Sequence, residues 1–273
     1  MASPGSTLPV SVVIPCYRCA ETIVRAVESV FAQTRLPEEV WLVEDGSSDG
    51  GRTITALKAL EAKYGPVVRL IVLPKNGGAA AARNAGWESA TRRFVAFLDA
   101  DDAWHPRKLE IQCDWMMRHP ETTLTAHDSA FSRTEVPCES MLPPEWEAIE
   151  VRPWSLLASN RLPTRAVILR RDVGLRFDPD MRRSDDYLLW LRIVLGGGRA
   201  AFLPLPLACH FKASYGEGGL SQDLWAMEKS ELNVYARLYR DRLLPLVALV
   251  PLCLLSLAKH CRRVWLRFAG LSR

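Results

Sequence analysis

Four short runs of β-branched and apolar residues recur in the first hundred residues, each followed by a polar turn and a helix-patterned stretch. Residues 10–14 stop at Pro15, and 21–33 then place Ile23, Val27, Val30 and Phe31 on one helical face. Residues 40–43 run into Glu44-Asp45-Gly46-Ser47-Ser48-Asp49-Gly50, after which Ile54, Leu57 and Leu60 mark a second amphipathic helix. Residues 70–73 close on Pro74-Lys75-Asn76-Gly77-Gly78, ahead of an alanine-rich helix over 79–90. Residues 94–98 end in Asp99-Ala100-Asp101-Asp102. Strand and helix alternating at this spacing predict right-handed βαβ units, hence an α/β fold with a Rossmann-like, mostly parallel sheet flanked by helices. The nearly unbroken apolar character of the strands fits burial on both faces. Tyr17, Asp45, Asn76 and Asp99 each fall just past the carboxyl end of a strand. In an open α/β sheet those ends share one edge, where ligands bind.

The rest of the chain reads differently. A helix is expected over 105–118 with Pro106 in its first turn, a strand over 122–131, and a proline- and glutamate-rich loop over 137–150. A short strand over 166–169 follows. Ser184 then reads as the N-cap of an apolar helix that Gly196-Gly197-Gly198 stops. Residues 210–221 are glycine-rich and read as a mobile loop. No internal repeat or clean linker appears. The expected organisation is residues 1–220 as one domain, with a nucleotide-binding half over 8–103 and an acceptor half over 104–220, and a helical C-terminal extension over 221–273.

Composition narrows the function classes. A net charge of +4 without a concentrated basic patch gives no support to a nucleic acid partner. Seven cysteines, an odd and scattered set, do not form a disulfide framework. Cys16 and Cys19 make a lone C-x-x-C without the further ligands that zinc needs, and read as small residues at a strand-to-helix turn. No secretory leader is visible in the first nine residues, so a cytoplasmic location is the expectation.

Carboxylates crowded at a sheet edge repel one another unless a cation or a donor network joins them. The 99–102 segment would therefore suit magnesium or manganese, which would in turn hold a diphosphate; taken alone it also reads as a solvated acidic turn. Asp45 among Gly46, Ser47 and Ser48 reads either as turn chemistry or as an acceptor for a nucleobase or ribose. Arg83 and Asn84 lie one turn into the alanine-rich helix, within reach of a phosphate or base. Neither a Walker A loop nor G-x-G-x-x-G is present, which argues against a P-loop NTPase or a dinucleotide-dependent dehydrogenase.

Taken together, residues 10–17, 44–50, Asn76-Gly77-Gly78 with Ala82-Arg83-Asn84-Ala85-Gly86, and Phe97-Leu98-Asp99-Ala100-Asp101-Asp102 resemble family 2 glycosyltransferases of the GT-A fold, in order and at family spacing across residues 8–215. Arg183-Ser184-Asp185-Asp186-Tyr187 before Trp190-Leu191 looks like the family's acidic motif. The resemblance implies a nucleotide-sugar donor, a divalent metal (manganese or magnesium) and inversion at the anomeric carbon. It implies that Pro15, Tyr17, Asp45 and Arg83 hold the nucleotide, that Asp99 faces ribose and sugar, that Asp101 holds the metal, and that Asp186 is the catalytic base. A helix N-terminus favours an ionised Asp186, while Asp185 and an anionic donor push its pKa back up. Lys212, with His210, falls where the family has a basic loop near the diphosphate. Glu44, Arg18 and Asp185 depart from the commoner aspartate, asparagine and glutamate. A sugar nucleotidyltransferase would also use a parallel sheet and a metal but gives Asp186 no role; a non-catalytic nucleotide-sugar-binding protein would not need all three of Asp99, Asp101 and Asp186.

Residues 243–258 carry no charge, and Lys259, Arg262, Arg263, Arg267 and Arg273 follow with no acid after Asp241. Sixteen residues are short for a span, and Pro245 and Pro251 are expected to interrupt it. The leading expectation is peripheral association with the inner face of the cell membrane, basic residues at anionic headgroups; a helix packed on the domain or on a second subunit, and a true span, are the alternatives. Such a location would suit a glycan or lipid-linked acceptor in bacterial surface polysaccharide assembly.

Overall fold

The computed structural model describes residues 7–132, 142–211 and 223–268. The expected βαβ half is present. Strands β1 (Leu8–Cys16), β2 (Pro37–Glu44), β3 (Val68–Val72) and β4 (Phe94–Phe97) alternate with helices α1 (Ile23–Phe31), α2 (Arg52–Tyr64) and α3 (Ala79–Ser89). The second half adds β5 (Ala103–Trp104), α4 (Lys108–Arg118), β6 (Thr122–Phe131), β7 (Ile149–Glu150), α5 (Pro153–Ala158), β8 (Ile168–Arg170), α6 (Asp185–Leu195), β9 (Arg199–His210), α7 (Leu224–Arg240) and α8 (Leu246–Phe268).

All nine strands join one sheet, in the order β3-β2-β1-β4-β8-β6-β9-β5, with β7 also on β9. It is mixed rather than mostly parallel. β1, β2, β3 and β4 pair in parallel, as do β6 and β9. By contrast β8 runs antiparallel between β4 and β6, and β5 and β7 run antiparallel to β9. The parallel pairs follow helical crossovers, whereas β5, β7 and β8 are two or three residues long and carry no readable period.

Two-sided burial explains the strand composition. Val10, Val12 and Ile14 face one core with α1, α2 and α4, while Val13 faces a second core with α3 and α6. Phe94 and Ala96 divide from Val95 and Phe97 in the same way. The small residues of α3 let it settle on β1: a Cβ on Gly86 would lie 2.4 Å from Val13 Cγ1. Val234, Tyr235 and Leu238 of α7 belong to the second core, so the helices after residue 221 are built onto the domain.

Two local expectations are corrected. Ser184 stands at the N-cap position of α6, but its backbone is left-handed (φ 56°) and its side chain caps nothing. Pro251 lies inside α8 without ending it. Its missing N–H would have met the carbonyl of Val247, a residue that is 83% exposed, so the lost bond falls on the solvent side of the helix. No helix among the described residues is long and apolar enough to cross a membrane.

Candidate active site

Backbone register carries the first three loops to a common edge. Cys16 pairs with Glu44 and Glu44 with Val72, while the Asp45 N–H donates to the Cys16 carbonyl and the Leu73 N–H to that of Glu44. A cavity of about 1020 Å³ opens there, and Pro15, Tyr17, Asp45, Arg83, Asp99 and Asp101 all line it.

Asp45 organises the site. Its Oδ1 accepts from the Gly77 N–H at 2.7 Å, and its Oδ2 from the Gly78 N–H at 2.8 Å and from Asn76 Nδ2 at 3.0 Å. The carboxylate therefore pins the 76–78 turn that opens α3, which is the turn reading of this residue. Gly46 is required for that approach: its φ is +63°, and a Cβ there would sit 2.5 Å from the Asn76 nitrogen. Glu44 completes the turn by accepting from the N–H groups of Gly46 and Ser47. Arg18, also left-handed at φ 48°, bonds through its N–H to Ser47 Oγ and through its guanidinium to Ser48, and lies 5.4 Å from the ring centre of half-exposed Tyr17.

The two acidic motifs meet through one buried arginine. Arg83 bonds Asp99 Oδ1 at 2.8 Å and Asp185 Oδ2 at 3.0 Å. Burial alone would lower its pKa, but the two carboxylates overcome that and hold it firmly protonated. Asp186 accepts from Thr164 Oγ1 at 2.9 Å on Oδ2 and from the Tyr187 N–H at 2.7 Å on Oδ1. Burial, with repulsion from Asp185, raises its pKa to about 6 against the opposing pull of Arg83 and the two hydrogen bonds. That value is matched to accepting a proton near neutral pH.

Asp102 is buried and bonded to Arg165 at 3.3 Å. Burial, with the negative charge of Asp99 and Asp101, pushes its carboxyl up to about 8 despite that arginine. Asp102 is therefore largely protonated at neutral pH, and the charge at this corner of the cavity belongs to Asp99 and Asp101. Among the described residues no group of three or more His, Cys, Asp or Glu side chains is arranged to hold an ion alone. Asp99 and Asp101, both at the cavity, are the carboxylates that could contribute to a magnesium or manganese site, since these ions bind through one or two carboxylates and complete their shell with substrate phosphates. Sequence reasoning missed Arg165, Thr164 and Arg182. Arg182 lines the cavity and reaches Asn76 Oδ1 at 3.4 Å. All three stand outside any periodic pattern. Lys212 lies outside the described residues, as does most of the glycine-rich loop.

A mixed α/β sheet with acidic loops gathered at one edge of its parallel half and a second carboxylate motif facing them defines a transferase of the GT-A kind. The chain belongs to glycosyl transferase family 2, whose model matches residues 11–171, and it is a glycosyltransferase. It is 30% identical to TuaG of Bacillus subtilis, named for teichuronic acid biosynthesis, over 85% of this chain and 88% of that one. It is 26% identical to the Escherichia coli UDP-Glc:alpha-D-GlcNAc-diphosphoundecaprenol beta-1,3-glucosyltransferase WfgD, over 92% and 94% of the two chains. Among solved structures, a Pyrobaculum calidifontis mannosyltransferase in complex with GDP-Man and Mn2+ superposes with a TM-score of 0.66 at 19% identity, covering 98% of this chain and 77% of the other. Staphylococcus aureus TarS in complex with UDP-GlcNAc gives 0.64 at 21% identity, over 84% and 66%.

Proposed function

We propose that the chain is an inverting, metal-dependent glycosyltransferase that moves a sugar from a nucleoside-diphosphate donor to a glycan or lipid-linked glycan in bacterial surface polysaccharide synthesis. The observation that carries this reading is the Asp99–Arg83–Asp185 bridge, which sets the donor-side carboxylates beside Asp186 although Asp99 and Asp185 lie 86 residues apart in the chain. A nucleotidyltransferase gives the second motif no task.

The residues divide the work. The 15–18 and 44–48 turns and the loop pinned by Asp45 form the nucleotide end of the cavity. Asp99 faces ribose and sugar, its orientation set by Arg83. Asp101 would hold manganese or magnesium, which supplies charge neutralisation at the departing diphosphate when bound. Asp186 takes the proton from the acceptor hydroxyl as that oxygen attacks the anomeric carbon opposite the leaving group, so one base is enough. Residues 8–103 bind donor and 104–220 acceptor.

Residues 221–273 bring the enzyme to the inner face of the membrane. Val247, Val250, Leu254, Leu257, Cys261 and Trp265 recur at three- and four-residue spacing, and all are exposed on α8. Such a face fits interfacial binding. Two of the basic residues also hold the helix to the domain. Lys259 bonds Glu231 at 2.6 Å and Arg263 bonds Glu228 at 3.1 Å, both on α7, so these two fasten the helix and Arg262 is exposed. The lipid-linked acceptor named for WfgD accords with that location.

The test is transfer from UDP-glucose, UDP-GlcNAc or GDP-mannose, with manganese, to a synthetic GlcNAc-diphospholipid. Sugar transfer with inverted anomeric configuration, lost in Asp186→Asn, is the expected result. Retained configuration, or full activity in the variant, would refute the mechanism.

A further inference from the structure

Asp186 is not held by its own helix alone. The turn Thr164–Ala166, whose last residue is expected from the sequence to begin a strand, precedes β8 and bonds both acidic motifs. Its neighbouring side chains diverge: Thr164 bonds Asp186, and Arg165 bonds Asp102. Buried side chains from three distant elements fasten this turn and the residue two positions before it. Trp190 Nε1 donates to the Leu162 carbonyl at 3.0 Å, Trp104 Nε1 to that of Arg165 at 2.8 Å, and Gln112 Nε2 to that of Ala166 at 3.0 Å. Trp190 lies four residues after Asp186 on α6, so one face of that helix bonds both the turn, at Thr164, and the chain leading into it, at Leu162. A hydroxyl on a β-branched residue in so fixed a turn has little freedom to leave its partner.

We propose that Thr164 is a positioning residue for the transfer reaction: its hydroxyl clamps the Asp186 carboxylate against rotation and favours its ionised, proton-accepting form. The inference rests on the reading of Asp186 as base. With Thr164 on Oδ2 and the Tyr187 N–H on Oδ1, both oxygens are fixed, and each keeps a lone pair for an acceptor hydroxyl. The charged groups facing Asp186 are Asp185 on its own helix and Arg83 on α3, the latter shared with Asp99. Arg165, on the same turn as Thr164, is committed to Asp102. The Thr164 hydroxyl is thus a neutral donor that offsets the Asp185 repulsion without adding charge beside the acceptor.

The test needs no substrate. Protein labelled with 13C at aspartate carboxyls is titrated by NMR, and the resonance absent from Asp186→Asn is followed. In Thr164→Val its midpoint should move up by about one pH unit, the loss of one hydrogen bond to a charged group. In Thr164→Ser it should stay near the wild-type value. Thr164→Ala serves as a second hydroxyl-free variant should valine not fold. An unmoved midpoint in valine and alanine, or an equal shift in serine, would overturn the proposal. The transfer assay with Asp186→Asn reports separately on the base: activity there removes the base reading whatever the titration shows. With both intact, the acidic limb of kcat/KM should shift with the NMR midpoint while UDP binding is unchanged.

Discussion

Asp186→Asn should make the protein more stable while removing its activity. The wild-type carboxyl is raised from 3.8 to about 6 by burial and by Asp185. Two units at ~1.4 kcal/mol each set a ceiling of about 3 kcal/mol for the cost of keeping the charge there at neutral pH. Solvent at the partly exposed edge of the residue reduces this to about 1–2 kcal/mol. The sign follows from proton binding. The folded state keeps the proton to higher pH than the unfolded chain, so the wild type loses stability as pH rises from about 4 through about 6. Asparagine has nothing to lose in that window. The variant should therefore melt about 3–6 °C above wild type at pH 8, and the difference should shrink to nothing near pH 4. Differential scanning calorimetry on both proteins across that range measures it. A variant no more stable at pH 8, or a gain that does not change with pH, would refute the claim that this carboxylate is held under electrostatic strain.

Other consequences follow from the same geometry. Arg83→Met removes the shared partner of Asp99 and Asp185 and should cost about 3–5 kcal/mol, read by urea unfolding; a loss below 1 kcal/mol would show the bridge to be dispensable. Gly46→Ala meets both a left-handed backbone and the Asn76 nitrogen at 2.5 Å, so thermal-shift stabilisation by UDP or GDP with manganese should disappear in it. Leu254→Glu with Trp265→Glu, both on exposed positions, should abolish flotation with phosphatidylglycerol vesicles and leave the melting temperature within about 2 °C. Undiminished flotation would point to a different membrane-facing surface.

The parallel half of the fold was readable because two-sided burial forces unbroken apolar runs, and because every loop after such a run lands on the same edge. One longer strand of the second half was legible too: the strand expected over 122–131 is β6 as observed. Mixed sheet order was not readable, since β5, β7 and β8 are too short for a period to form. Six of the seven residues named for the site line one cavity, and Asp186 lies beside it through Asp185 and Arg83. What the sequence concealed is which groups support them. Thr164 and Arg165 earn their place only through residues 22 and 63 positions away. Ser184 shows the converse: a good capping residue by type whose left-handed backbone carries its hydroxyl away from the cap. The pairing of Lys259 and Arg263 with α7 likewise depends on a packing that charge pattern alone does not encode.

The most direct measurement is isothermal titration of UDP and GDP into the wild-type protein and into Asp101→Ala, each with and without manganese. Binding of one nucleoside diphosphate that requires manganese in the wild type, and that fails in Asp101→Ala, is the predicted result. Equal affinity with and without the metal, or an unaffected Asp101→Ala, would contradict the account.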